Sequence, residues 1–462
     1  MNSGAQYVAL SGAFERDNFG DLLFGIVSEK LLHPIPVIRV GLHSRCLREF
    51  GSPPVYSARA LSAIGNRLPP IALLCVGGEI FLADLKNAMA FNTPNEDHRL
   101  FSEMLPPRQE RFAQLAANRQ AGLAYVPWSD PTFALPDSTK ILLNSCGGTM
   151  LSNTPASAEL ARTLLSRADF LSVRDSRTHS AIHDAVPSCH IAPDVVTLVA
   201  RLCSSEITHA EKTITQQNDV FNGNYLLFQA KDRYLKQPSL AAEAITQISK
   251  SHALDVVLQP AGLASGHDSF ERMKKLEALI AAKLGDNRVH IQRDRNVYRQ
   301  VAAIARSRIV IASSLHCRIV ASAFARPRVS LSNGKVKSYI DTWESQLGMS
   351  TYTFDGLPAA TNQALSIPHT TWVKLRDEQV SGADRNFALI RDLISDQHCG
   401  SFTPADMNEL EQSLLLEETR YLRAGLLSLA SESETWASRT IWKIKHRLGT
   451  MIQQAKRLTA RS

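Results

Sequence analysis

The chain has 462 residues, which exceeds one typical hydrophobic core and favours two domains with an appendage. Apolar residues at 44% and charged residues at 21% are typical of a soluble globular protein and exclude a disordered or collagen-like chain. The formal net charge of +7 is compatible with an anionic substrate, a membrane surface or nucleic acid. Much of that charge lies in residues 439–462, which contain seven Lys or Arg and no acid.

Cysteine usage and the absence of long apolar runs indicate the compartment. The seven cysteines are scattered and form no C-x-x-C pair, which excludes a disulfide framework or a zinc site and favours a reducing cytoplasm. The first residues contain no basic stretch followed by a long apolar one, so we expect no signal peptide. No run of about 18 apolar residues occurs, so we expect no membrane-spanning segment.

Short apolar runs alternate with segments of helical period, the pattern of a parallel sheet covered by helices. In the first half, each apolar run ends in Gly, Pro or Asp, as expected where a strand turns into a loop. The predicted strands there are QYVALSG, IPVIRVG, IALLCVGG, GLAYVP, ILLNSCGG and DFLSVRD. The predicted helices are Asp21–Leu32, Pro155–Ser166 and Ser176–Asp184.

The alternation stops in a polar stretch from Ser204 to Asn224, which we predict to be a linker, and then restarts. The predicted strands of the second half are YLLFQA, LDVVLQP, RVHIQ, RIVIAS and PRVSLS. The predicted helices between them are Leu240–Ser251, Ser269–Leu284, Val297–Ala305 and Leu315–Ala325. After about Arg376 only helices are predicted, over Asn386–Ile394 and Pro404–Ala460.

These elements predict an α/β protein with two Rossmann-like parallel-sheet domains and a C-terminal helical extension. We place the N-terminal domain at residues 1–203, the linker at 204–224, the C-terminal domain at 225–376 and the extension at 377–462. Two such domains face each other with the carboxyl ends of their strands, and ligands bind in the cleft between them.

Two loops of the first domain are candidate ligand-binding loops. The residues Asn18, Gly20 and Asp21 form a turn that can present backbone N–H groups at a helix start, although a plain turn capped by Asp21 explains them as well. Gly77 and Gly78 follow a strand, where they permit either a positive φ near a ligand or tight packing. A G-x-G-x-x-G fingerprint is absent, which weakens a dinucleotide-binding interpretation.

Charged residues at three further strand ends are also candidates. Arg174 ends an apolar strand, where its planar guanidinium can bind a carboxylate or phosphate or can pair with Asp175. Asp194 lies at another strand end near the linker. In the second domain, Asp268 or a neighbouring serine can cap a helix, while His267 can reach a ligand in the cleft.

The segment RIVIASSLHCRIVASAFARPRVSLS contains the strongest candidate. Ser313 or Ser314 can cap the helix that follows the strand, and His316 lies in its first turn, where backbone N–H groups favour an anion. A histidine there can bind phosphate or exchange a proton, or it can be a packed core residue. Lys335 follows the next strand, at a helix start that is equally compatible with a solvated lysine.

Taken in order, these segments resemble the polysaccharide pyruvyl transferase family. The resemblance covers roughly residues 5–350. Its pieces are the N-x-G-D turn at 18–21, the Gly-Gly loop at 77–78, S-V-R-D at 172–175, Asp194, the His-Asp pair at 267–268, L-H-x-x-I-x-A-x-A from Leu315, and the GKVKSY turn.

The resemblance implies a two-domain fold like that of GT-B glycosyltransferases and a donor substrate, phosphoenolpyruvate, rather than a bound cofactor or metal. Members attach its enolpyruvyl unit as a ketal across two sugar hydroxyls and release phosphate. By family position, His316 is the expected general acid and Arg174 the residue that holds the donor. The family usually has arginine where this chain has Ser314, so Arg318 or Lys335 is the candidate replacement.

Two other hypotheses remain. A nucleotide-sugar glycosyltransferase would share the fold, and the absent arginine leaves room for a different donor. The basic tail carries apolar Trp442, Ile444 and Leu448 among its cations, which is compatible with a helix on a membrane surface or with one that packs on the domains. We expect a glycan or lipid-linked sugar acceptor, no nucleic acid, and a cytoplasmic location with peripheral membrane contact; the oligomeric state stays open.

Overall fold

The computed structural model of the protein describes residues 7–92, 101–117, 122–130, 132–149, 151, 159, 165–264, 267–395 and 403–430. These residues form two parallel sheets covered by helices, and the predicted fold class is confirmed. The strands are buried almost throughout because helices cover both faces of each sheet, which is why they appear in the sequence as continuous apolar runs.

The first domain contains a parallel sheet of seven described strands. These are β1 (Val8–Ser11), β2 (Val37–Gly41), β3 (Tyr56–Ser57), β4 (Ala72–Val76), β5 (Lys140–Cys146), β6 (Phe170–Val173) and β7 (His190–Ile191). They lie in the order β3-β2-β1-β4-β5-β6-β7. Its helices are α1 (Phe19–Leu32), α2 (Ala58–Ile64), α3 (Leu85–Asn92), α4 (Pro106–Ala117), α5 (Ser176–Ile182), α6 (Val199–Leu202) and α7 (Ser204–Gln217).

The second domain contains a parallel sheet of six described strands. These are β8 (Tyr225–Gln229), β9 (Asp255–Leu258), β10 (Val289–Ile291), β11 (Ile309–Ala312), β12 (Arg328–Leu331) and β13 (Thr351–Tyr352). They lie in the order β10-β9-β8-β11-β12-β13. The helices that follow are α8 (Pro238–His252), α9 (Phe270–Leu284), α10 (Val297–Arg306), α11 (Leu315–Ala323), α12 (Gly334–Trp343), α13 (Leu357–Ser366), α14 (His369–Ser395) and α15 (Pro404–Ala430).

One continuous apolar cluster joins the two domains. It includes Leu22 and Val27 of α1 together with Val301 of α10 and Val320 of α11, all of them buried. Because the same buried surface belongs to both domains, its burial stabilises their packing against each other.

Several sequence predictions differ from the structure. The predicted strand GLAYVP is wrong, since residues 122–127 form turns with a single bridge between Asp84 and Leu123. Its side chains pack in the first-domain core, so the apolar run reflects burial without strand pairing. The short strands β3, β7 and β13 were not predicted, because two residues are too few to show a pattern.

The segment predicted as a linker is mostly the helix α7, which packs against α10 of the second domain. The buried residues Ile207, Ala210 and Ile214 recur at helical spacing and form its apolar face. Most of the predicted helix Pro155–Ser166, and the basic tail from residue 431 onward, lie outside the described residues.

Helix α14 returns from the second domain to the first. Trp372, near its start, is buried in the second-domain core, while Asn386 donates to Asn144 Oδ1 at 2.6 Å and Arg391 donates to the carbonyl of Leu31. The predicted boundary after Arg376 therefore falls inside one helix that contacts both domains.

Candidate active site

The loop between β1 and α1 contacts the second domain directly. The backbone N–H of Phe19 donates to the carbonyl of Ala261 at 3.0 Å, and Asn18 forms a bridge with Gly262. A Cβ at Gly262 would lie 2.7 Å from the carbonyl oxygen of Asp17, so only glycine allows this approach. The Asn18 side chain caps α1 by accepting from Gly20 N at 3.2 Å, which makes Asn18, and not Asp21, the cap.

His316 lies at this contact, in the first turn of α11. Its side chain is only 6% exposed, and the Phe24 ring of α1 meets it edge-on with centroids 4.8 Å apart. A Cβ at Gly20 would lie 2.0 Å from Nδ1 of His316, so the first-domain loop touches the imidazole face. The Nε2 atom is buried and has no hydrogen-bond partner. A buried polar atom without a partner is costly, so Nε2 is an atom that is available to hydrogen-bond a ligand.

A buried polar network supports the start of α11. The side-chain oxygen of Gln229 accepts from the backbone N–H groups of Ser313 at 3.1 Å and Ser314 at 2.8 Å. Its amide nitrogen donates to Asp268, which also accepts from Ala261 N at 2.6 Å. The hydroxyl of Ser314 caps the helix by accepting from Cys317 N. Ser313, Ser314 and Asp268 thus position His316, and burial raises the pKa of Asp268 to about 6.

Arg174 lies at the carboxyl end of β6 with its guanidinium fully buried. It donates to Glu79 Oε1 at 2.6 Å, and its Nη1 lies 3.6 Å from Asp194 Oδ2. Its Nε and Nη1 atoms have no hydrogen-bond partner. A Cβ at Gly147 would lie 2.6 Å from Nη2, so glycine makes room for the guanidinium. Sequence reasoning missed Glu79 as a site residue, although it directly follows the Gly77-Gly78 pair.

The loop of Gly77 and Gly78 contacts a second glycine loop of the first domain, that of Gly147 and Gly148, beneath the site. Gly77 and Gly78 have φ values of +63° and +67°, and Gly78 accepts from Gly147 N at 2.8 Å. A Cβ at Gly77 would lie 2.2 Å from the Phe24 ring, the same ring that contacts His316. The glycine pair therefore packs the support of the histidine.

Burial and four nearby cations keep His316 neutral. Burial is the largest cause that lowers its pKa well below the ordinary value, and Arg174, Lys335, Arg16 and Lys231 add to the effect. Lys335 is half-buried. This burial, together with the positive charge of Lys231, lowers the pKa of Lys335 to about 7. Sequence reasoning missed Arg16 and Lys231, which follow β1 and β8 without any recognisable spacing.

His267 lies on the same side of the cleft as Lys231. Its ring is 5.6 Å from that of Phe91 in the first domain, and burial and Lys231 lower its pKa well below the ordinary value. Asp21 is buried and forms a 2.6 Å ion pair with Arg16. The structure thus brings Asn18, Gly20, Asp21, His267, His316 and Lys335 to one cleft.

Arg318 is the one predicted site residue that lies elsewhere. It pairs with Glu344, donates to Ser330 Oγ at 3.0 Å, and is fully buried beside Arg328, which pairs with the same carboxylate. Two residues after His316 correspond to about 200° of helix rotation, which directs Arg318 away from the cleft. The prediction that it replaces the family arginine is corrected: Arg318 belongs to a structural ion triad.

The two Rossmann-like domains that face a cleft place this chain in the GT-B-like fold class. The UDP-GlcNAc 2-epimerase from Neisseria meningitidis bound to UDP-GlcNAc is similar in structure, with a TM-score of 0.50 and 12% identity over 85% of this chain and 100% of that one. The UDP-GlcNAc 2-epimerase from Methanocaldococcus jannaschii has a TM-score of 0.50 and 10% identity over 84% of this chain and 99% of that one. At such identities the likeness shows the fold alone.

The family model of polysaccharide pyruvyl transferases matches residues 124–335, which confirms the resemblance over that region. The match includes Arg174, His267, His316 and Lys335, and hence most of the second-domain side of the cleft. No curated protein matches the chain significantly in sequence.

Proposed function

We propose that the protein transfers the enolpyruvyl unit of phosphoenolpyruvate to a sugar of a surface polysaccharide or its lipid-linked precursor, as a ketal. The observation that carries the proposal is the buried, unpartnered Nε2 of His316 among four cations, at a cleft lined by residues of the matched family region. Phosphoenolpyruvate carries a carboxylate and a phosphate, so a cationic cleft with a proton donor suits it.

In the proposed reaction, protonated His316 donates its proton to the methylene carbon of phosphoenolpyruvate. The adjacent carbon becomes oxocarbenium-like, and one sugar hydroxyl attacks it and returns a proton to the now neutral His316. The C–O bond to phosphate then breaks, the second hydroxyl attacks the same carbon, and its proton leaves with phosphate. The products are the cyclic ketal and inorganic phosphate, and no metal or redox step is required.

His316 is neutral before the donor binds, and we propose that binding of the donor phosphate causes its protonation. The unliganded histidine is neutral because it is buried among cations. A bound phosphate dianion would offset those charges and raise the pKa of His316, since a nearby opposite charge favours the charged form. The acid would therefore form when the donor is present.

Incubation of the protein with phosphoenolpyruvate and a panel of glycans tests the proposal. We expect phosphate release together with an acid-labile pyruvate ketal, and a loss of at least 100-fold in rate for His316→Ala. His183→Ala, at an exposed histidine, is the control and should retain the wild-type rate. The absence of ketal with every glycan, or an unchanged rate for His316→Ala, would contradict the proposal.

The alternative donor is a nucleotide sugar, with which a GT-B-like fold is also consistent. A thermal-shift comparison of phosphoenolpyruvate with UDP- and GDP-sugars separates the two donors. Stabilisation by nucleotides alone would favour a glycosyltransferase.

A further inference from the structure

The cations around His316 fall into two groups. Arg16 pairs with Asp21 at 2.6 Å, and Arg174 pairs with Glu79 at 2.6 Å, so both arginines already have a carboxylate partner. Lys231 and Lys335 form no ion pair with any residue of the described ranges. Their charges are therefore the ones of this group that no ion pair within the described ranges offsets.

Hydrogen bonds of the main chain tie both lysines to the start of α11. The backbone N–H of Lys231 donates to Ser313 Oγ at 3.0 Å. Asn333 donates to the carbonyl of Ser313 at 3.0 Å and accepts from the backbone N–H of Lys335 at 3.3 Å. Both lysines are therefore held from opposite sides of Ser313, three residues before His316.

We propose that Lys231 and Lys335 together bind a phosphate dianion beside His316. That the dianion is the phosphate of phosphoenolpyruvate rests on the proposed function. Two ammonium groups without an ion-pair partner balance the charge of a dianion, whereas the charges of Arg16 and Arg174 are partly offset by Asp21 and Glu79. Lys231 is the residue that this assignment adds to the site.

The electrostatics of Lys335 support the assignment. The charged groups that act on it are Lys231 after β8, Glu79 after β4, Arg174 after β6 and Asp21 of α1. Burial and then Lys231 lower the pKa of Lys335 to about 7. Protonation of Lys335 should therefore accompany the arrival of a dianion above neutral pH.

Calorimetric titration with inorganic phosphate, phosphoenolpyruvate and UDP tests the pair. We expect Lys231→Met and Lys335→Met each to weaken phosphate binding at least tenfold, with partial recovery in Lys231→Arg and Lys335→Arg. Lys337→Met is the matched control, because Lys337 lies on the same helix, is exposed and pairs with Asp341. Wild-type affinity in both methionine variants, with unfolding temperatures unchanged, would overturn the proposal.

Proton uptake provides a second measurement that does not depend on catalysis. At pH 8 phosphate binding should be accompanied by the uptake of about one proton by Lys335, which must become charged, in addition to any proton that His316 takes up. Titrations in buffers of different ionisation enthalpy should show that total uptake falls by about that one proton in Lys335→Met and is unchanged in Lys337→Met. Equal uptake in Lys335→Met and wild type would contradict the assignment.

The outcomes separate the two proposals. If the lysine variants lose phosphate binding while no glycan yields a ketal, the dianion site stands and the proposed function fails. If a ketal forms and the lysine variants bind and react like wild type, the function stands and the lysine assignment fails. Lysine-dependent binding of UDP but not of phosphoenolpyruvate would support the dianion site and identify a nucleotide as its source.

Discussion

The residue that matters most beside His316 is a glycine of the other domain. The absence of a side chain at Gly20 lets the loop after β1 lie against the imidazole, and Phe24, one turn further along α1, holds the ring edge. Ser314, which stands where the family has arginine, is used as the cap of α11. Side chains of other loops therefore supply the cations of this site.

At this scale we predict that Gly20→Ala disturbs His316. A methyl group 2.0 Å from Nδ1 must displace the ring, at a cost of ~1–3 kcal/mol in stability, and should lower phosphate release as well. Gly334→Ala is the control, since nothing lies within 4 Å of the added Cβ, and its stability should change by less than ~1 kcal/mol. Urea unfolding checks both variants, and equal stabilities would count against the contact.

At the scale of elements, the ion triad of Glu344 with Arg318 and Arg328 joins β12, α11 and the end of α12. All three side chains are at most 1% exposed. Burial alone would raise the pKa of Glu344, but the two guanidiniums lower it from 4.5 to about 2. The triad thus fixes the helix that carries His316 relative to the helix that carries Lys335.

We predict that Glu344→Gln costs about 3–5 kcal/mol, because it leaves two buried guanidiniums without their carboxylate. The stabilisation by Glu344 should be complete above pH 4.5 and lost as the pH falls towards 2, since the folded pKa lies below the unfolded one. Asp341→Asn, which breaks the exposed pair with Lys337, should change stability by less than ~1 kcal/mol. Urea unfolding across this pH range measures both effects; an unchanged stability of Glu344→Gln would refute them.

At the scale of the whole molecule, α15 crosses the outer face of the first domain. Ser413 accepts from Arg67, which follows α2, and Glu418 bonds with Ser44 and Ser57, beside the carboxyl ends of β2 and β3. The helix therefore runs towards the edge of the sheet at which the cleft lies. No helix among the described residues is long and apolar enough to cross a bilayer.

The basic composition of residues 439–462, which follow α15, predicts that the chain binds anionic membrane surfaces. We expect the full chain to float with vesicles that contain anionic lipid, and removal of residues 432–462 to abolish flotation. Charge reversal at Lys274 and Lys275, two exposed lysines of α9, is the control and should leave flotation unchanged. Equal flotation with and without the tail would eliminate a membrane role.

The sequence by itself determined the two parallel-sheet domains and the loops that line the cleft. This was possible because a strand covered on both faces is a continuous apolar run, and because many of these runs end at a residue that favours a turn or a helix cap, such as Gly, Pro, Asp or Ser. Asn18, Gly20, Arg174, His267, His316 and Lys335 all follow such strands. The two-residue strands escaped prediction because two residues show no pattern. Residues 122–127 were wrongly predicted as a strand because burial and strand pairing leave the same apolar signal.

Only the tertiary structure decided which of these residues meet and which are already paired. The contact of Gly20 with His316, the carboxylates on Arg174 and the two unpaired lysines depend on how one domain packs on the other. Arg318 appeared equivalent to Lys335 along the chain, but the rotation of α11 directs it to Glu344. Spacing in sequence fixes the direction of a side chain within its helix, whereas its partners come from distant segments brought together by burial of the shared core.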